Sequence, residues 1–191
     1  MGLDITYYKL GKKVDIDENI EPYSEEFYEK YGNLGLINIS NDYDWEQGDD
    51  LEEGFYEGNH LGSFRAGSYS GYGWFRNTLI HLAKVAMQNA FDKQEELYLK
   101  YEEDDNPFEL LTHFSDSEGY IGPFTSGHLA EVFNDFEKPI IQGIIKMAKY
   151  GVNRDLYDTY SPNSMDTFTM MYRDWKTAFN EVAGVGVVIF Q

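Results

Sequence analysis

Leu3, Ile5 and Tyr7 alternate with Asp4, Thr6 and Tyr8 at the start of the chain. A period of two in β-branched and aromatic residues predicts a strand. Gly11-Lys12-Lys13 reads as its turn, and Val14-Asp15-Ile16 as the start of a return. Residues 17–32 are acidic and aromatic, with a short helix around Glu25, Glu26, Phe27 and Tyr28. Leu34 to Ile39 is a second strand candidate. Residues 41–63 are dense in Asp, Glu and Gly with few apolar anchors, and so read as a loop. Phe64 to Tyr69 then forms a third, short strand.

Helical spacing takes over from there. Phe75, Leu79, Leu82, Ala83, Ala86 and Ala90 recur on one face, with Ile80 and Met87 widening the stripe. Ser70 stands where an N-cap is expected. Residues 92–106 extend this helix to a break at Asp104-Asp105-Asn106-Pro107. A second helix starts near Thr125, with Leu129, Val132, Phe133 and Phe136 on one face, and Pro139 is expected to interrupt or kink it. Ile140 to Met147 resumes the pattern and stops at Gly151. Ser161-Pro162 opens a last helix, cap followed by proline at the first helical position. Its buried stripe is Phe168, Met171, Tyr172, Trp175, Phe179 and Val182, and Gly184 ends it. The apolar run Val185 to Phe190 predicts a strand inside a sheet. Terminal strands bracketing a helical middle give an α+β class: a mixed or antiparallel sheet containing both termini, packed on about three helices. The expected organisation is one domain over 1–191, with an acidic, loop-rich insertion at about 41–63.

Composition sets limits on this picture. Hydrophobic residues make up 42% of the 191, so a substantial core is available without disulfides, and there is no Cys to make one. Thiol nucleophiles and Cys-ligated zinc are excluded with it. The opening Met1-Gly2-Leu3-Asp4-Ile5 lacks the basic and apolar regions of a signal peptide, and Thr6-Tyr7 fits myristoylation poorly. No apolar run approaches the ~20 residues of a membrane span. A cytoplasmic protein without membrane attachment is expected.

The net charge of −19 is unevenly placed. Between Asp15 and Glu57 stand fifteen Asp or Glu and one cation, Lys30; from Asp92 to Glu118 there are ten acids against Lys93 and Lys100. Direct nucleic-acid binding is disfavoured, because each phosphate contact calls for a cation. A basic protein partner is favoured, and the candidate surface for it is Asp42, Asp44, Glu46, Asp49, Asp50, Glu52, Glu53 and Glu57. Solubilising loops are the plain alternative.

Three segments could carry chemistry. A calcium loop starting at Asp42 would place Asp44, Glu46 and Glu53 at ligand positions. Its sixth position is Gln47 rather than Gly, its eighth is Asp49, and no helix precedes it, so no metal site is assigned. The segment from Arg65 to Arg76 sets glycines and hydroxyls before a helix N-terminus, where amides favour an anion. Arg65, Ser68, Tyr69, Ser70, Tyr72 and Arg76, with Asp116 and Glu118, form a candidate pocket for a phosphate-bearing ligand such as a nucleotide. It is neither a Walker loop nor a nucleophile elbow, and a tight strand-to-helix turn, with Ser70 as cap and the arginines paired to nearby carboxylates, is the favoured plainer reading. His113, Asp116 and Glu118 could bind a metal or act as acid and base, but the other histidines have no ligand spacing. No catalytic residue and no cofactor is assigned.

The opening Met-Gly-Leu-Asp-Ile, the run Phe64 to Tyr72 with Phe75-Arg76, the run Phe114 to Pro123, and Trp175-Lys176 with Ala178-Phe179 form an ordered set. Together they resemble an uncharacterised family of small proteins encoded by bacteriophages and prophages. The resemblance implies expression inside a bacterial host as an accessory product; residues 15–57 lie outside it. The expected function is a binding protein that inhibits a host defence system through its acidic surface. The alternative is a pocket protein that binds or hydrolyses a phosphate-containing small molecule.

Overall fold

The computed structural model describes residues 2–40, 51–88, 106–114, 119–150 and 162–191. Among them five strands, β1 (Gly2–Val14), β2 (Leu36–Ile39), β3 (Gly54–Ser68), β4 (Gly119–Ile121) and β5 (Gly186–Phe190), form one antiparallel sheet. Its order is β2-β3-β1-β5-β4. The helices are α1 (Glu25–Tyr31), α2 (Tyr69–Met87), α3 (Glu109–Thr112), α4 (Pro123–Tyr150) and α5 (Pro162–Val182). The α+β class, with both terminal strands in the sheet, is as the sequence implies.

Alternation along the strands assigns the two faces. Leu3 and Ile5 of β1, Ala66 of β3, Val188 and Phe190 of β5 and Ile121 of β4 enter the main core, where α2, α4 and α5 cover them. Trp175 of α5 is its hub: fully buried, stacked at 5.6 Å on Tyr72 and at 5.5 Å on Phe179, and edge-on to Phe64 at 5.1 Å. The Tyr172 hydroxyl donates to the Phe133 carbonyl at 2.8 Å, which ties α5 to α4 inside this core. Lys176 reaches Glu137 at 2.6 Å along the same seam. The opposite face carries Ile37, Ile39, Tyr56 and Val187, joined by Tyr8, Leu10, Tyr120 and Ile189. Residues from β2 and β5, three strands apart, meet there because the sheet curls toward that side. Register shifts between Leu3 and Asp4, Tyr7 and Tyr8, and Leu10 and Lys13 mark the bulges that bend the β1–β3 pair.

Several sequence expectations change. Gly11-Lys12-Lys13 does not turn the chain; β1 runs through it to Val14, absorbing the irregularity as a bulge. The expected loop at 41–63 ends sooner, since β3 begins at Gly54 and continues to Ser68. Its glycines and polar residues hid it from the pattern, whereas the long antiparallel ladder to β1 supplies its backbone bonds. Residues 41–50 lie outside the described residues. α2 starts at Tyr69, and its N-cap is Ser68, not Ser70. Gly67, at φ +101, permits the abrupt step from strand to helix with no loop between. α4 passes through Pro139 as one helix, covered by apolar neighbours on its inner face, so of the interruption or kink expected there the interruption does not occur. Residues 92–105, Gly151 and Ser161 lie outside the described residues. The three-residue strand β4, too short to announce itself by alternation, was not expected.

Gly186 shows a different use of glycine. A Cβ there would collide with the Tyr8 carbonyl, so β5 lies close against β1 only because that position has no side chain.

Candidate functional site

The segment that carries α1 packs through a small apolar cluster of its own, apart from the main core. Ser24 caps α1 by accepting from the Phe27 amide at 3.1 Å, and Glu25 and Glu26 stand in the first turn, where the helix dipole favours negative charge. Phe27 and Tyr31, one turn apart, are buried against Ile20, with Val14, Ile16, Leu36 and Phe55 packed around them. Burying that stripe forces the rest of the helix outward. Glu25, Glu26, Tyr28 and Glu29 are exposed, as are Asp15, Glu18 and Glu21 in the segment leading to it. Among the described residues none of these carboxylates has a basic group within 4 Å. Tyr23 and Tyr28 stand among them at 56% and 57% exposure.

Asp17, Glu52 and Glu57 are matched internally. Asp17 accepts from the Asn19 backbone amide and side chain and from Lys30 at 3.2 Å, which together hold its carboxyl below the usual range. Glu52 pairs with Lys13 at 2.9 Å, and Glu57 with Lys12 at 3.4 Å. Of the candidate partner surface, Glu52 and Glu53 are exposed and Glu57 is half-buried, whereas Asp42, Asp44, Glu46, Asp49 and Asp50 lie outside the described residues. The carboxylates around α1 were visible to sequence reading as charge. Their shared orientation is not legible there, because the Phe27–Tyr31 anchor that sets it spans only one helical turn.

The candidate anion pocket is divided by the sheet. Arg65 lies opposite Asp4 across the β1–β3 ladder and pairs with it at 3.4 Å, on the face away from α2. Arg76 lies on α2, on the other face. Its guanidinium sits 4.7 Å from the Tyr72 ring centre and donates to the carbonyls of Thr112 at 3.2 Å and Phe114 at 3.0 Å. It therefore closes the C-terminal end of α3, whose last carbonyls have no helical partner. Ser68 spends its hydroxyl on the Gly71 amide at 3.1 Å, with Ser70 Oγ 3.1 Å away, so the first turn of α2 is already capped from within. Tyr72 is fully buried in the aromatic core, while Tyr69 is partly exposed. Arg65 and Arg76 do not converge. Asp116 and Glu118 lie outside the described residues.

His113 is 3.7 Å from Glu109 within its own helical turn, and His81 is buried in α2. His60 lies edge-on to Tyr8 at 5.4 Å. Among the described residues no group of three His, Asp or Glu side chains is placed to hold a metal ion. No described helix is long and apolar enough to cross a membrane. No protein-family model, no curated protein and no solved structure matches the chain.

Proposed function

We propose that this chain is a phage-encoded accessory protein that binds a basic, nucleic-acid-binding host protein through its acidic face and thereby inhibits a host defence system. The observation that carries the reading is the outward surface of the α1 layer. Asp15, Glu18, Glu21, Glu25, Glu26 and Glu29 are exposed there beside two exposed tyrosines. Carboxylates outside any ion pair of their own chain are attracted to a cationic groove, and the field of a −19 chain speeds that encounter at low salt. Tyr23 and Tyr28 add amphipathic area of the kind enriched at the centres of protein interfaces. The setting rests on the resemblance to phage and prophage proteins, and the charge argument stands apart from it.

The test uses the full chain as bait in a bacterial lysate, side by side with two charge-reversed variants. One carries Glu18→Lys, Glu21→Lys and Glu29→Lys; the other carries Asp49→Lys, Asp50→Lys, Glu52→Lys and Glu53→Lys. Capture of a basic nucleic-acid-binding protein by wild type, reduced in at least one variant, is expected. Equal capture by all three proteins would count against the acidic face.

A further inference from the structure

The geometry points to a second interaction surface, the open edge of β3, where two copies of this chain pair antiparallel into one continuous sheet. The argument begins with the direction of the backbone bonds. Asp4 exchanges both of its backbone bonds with Gln191, at 3.0 and 2.9 Å, and the Leu10 amide donates to Val185, so even-numbered residues of β1 face β5. Ile5 and Tyr7 therefore face β3, and Phe64 and Gly62 opposite them face back. That leaves the N–H and C=O groups of Ser63 and Arg65 directed away from β1. β2 pairs with β3 only over Gly54–Glu57, so it does not reach them. Ser63 and Arg65 are exposed, and among the described residues no strand lies beside them.

An unpaired strand edge is a template for another strand. What selects a second copy here is charge. From Gly58 to Phe91 the sequence contains no Asp or Glu, while the whole chain holds 34. β3 brings no carboxylate of its own to Ser63–Arg65, and Asp4 beside it is paired with Arg65 at 3.4 Å, so two chains of net charge −19 approach here with the neighbouring carboxylate matched within each chain. A basic partner would instead be drawn to the acidic layer described above. The register follows from the same alternation. With Phe64 opposite Phe64 of the second copy, Ser63 of each chain exchanges two backbone bonds with Arg65 of the other. The two Phe64 rings, partly buried and each resting on its own Trp175, then meet as a close, non-hydrogen-bonded pair. The register shifts that flank Gly62–Arg65 on both sides keep the pairing short and stop it from running on into a fibre. The arrangement is two-fold and closed.

Salt gives the dimer a signature opposite to that of the proposed partner binding. Two like-charged chains repel at long range, and raising salt from about 0.1 M to about 1 M shortens the screening length from about 10 Å to about 3 Å. Self-association should therefore tighten with salt, whereas an acidic face on a basic partner should loosen. The experiment is sedimentation equilibrium of the full chain at both salt concentrations, for wild type, Ser63→Pro and Arg65→Glu. Proline at position 63 deletes the outward N–H and leaves the β1 ladder intact; glutamate at 65 places acid on the edge. Wild type should form a dimer that tightens several-fold in high salt, and each variant should weaken it at least tenfold while its circular dichroism stays native. The Ser63 and Arg65 amides of wild type should exchange hydrogen more slowly as concentration rises. A wild-type chain that stays monomeric in high salt at high concentration overturns the proposal, as does a dimer untouched by Arg65→Glu.

Discussion

Replacing Arg76 by Met separates an architectural arginine from an anion-binding one. The guanidinium donates to two carbonyls, Thr112 at 3.2 Å and Phe114 at 3.0 Å, and lies 4.7 Å from the Tyr72 ring. A hydrogen bond from a charged donor contributes about 1.5–3 kcal/mol, and a cation over an aromatic face about 0.5–1 kcal/mol at a partly exposed site. These terms are not additive, and Met recovers some of the packing of the arginine stem. A net loss of about 3 kcal/mol is expected. In a domain of this size that lowers the melting temperature by about 6–12 °C. Arg76→Lys, a point charge without the two-pronged fork, should lose about half as much. The assay is chemical denaturation with far-ultraviolet circular dichroism, run beside a thermal-shift screen against nucleotides. A Met variant within about 0.5 kcal/mol of wild type, with a nucleotide response present in wild type and absent in the variant, would refute the architectural role.

Three further outcomes follow from the same geometry. Ser68→Ala should cost about 1 kcal/mol by removing the cap on the Gly71 amide, and Ser70→Ala markedly less, as read from denaturation midpoints. Tyr172→Phe should cost about 1 kcal/mol, since it deletes the 2.8 Å bond from the Tyr172 hydroxyl to the Phe133 carbonyl inside the core; urea titration measures it. Burial raises the Asp174 carboxyl above its ordinary value of 3.8, so the folded state holds that proton more tightly than the unfolded chain. Its contribution is favourable below the ordinary value and is lost as pH rises through the raised one. Asp174→Asn should therefore gain on wild type in melting temperature between pH 3 and pH 7, and an identical pH profile for the two proteins would contradict this.

The parts legible in the sequence are those whose periodicity is long or strict. The α5 stripe from Phe168 to Val182 is buried as its spacing implies, and the apolar run Val187 to Phe190 lies between β1 and β4. β3 was half legible. Phe64 and Ala66 alternate inward, but residues 54–63 mix glycine, asparagine and histidine, and only the ladder to β1 makes them a strand. Pro139 does not interrupt α4 for a related reason: tertiary packing on both sides of it carries the helix past one missing backbone bond. For the candidate site, the run from Arg65 to Arg76 was recognisable as glycines and hydroxyls ahead of a helix. Which face each arginine takes depends on strand parity and on the step at Gly67, and neither can be read from composition. The charge around α1 was plain in the sequence, whereas its outward orientation depends on Phe27 and Tyr31 finding Ile20 and Phe55.

The most direct measurement of the central claim is the affinity of the captured host protein for the full chain, by titration calorimetry across a salt series, with and without Glu18→Lys, Glu21→Lys and Glu29→Lys. Exposed charge pairs contribute about 0.2–1 kcal/mol each, so reversing three should weaken binding about tenfold or more. The account predicts that loss together with a steady fall in wild-type affinity as salt rises. Affinity indifferent to both salt and the three reversals would contradict it.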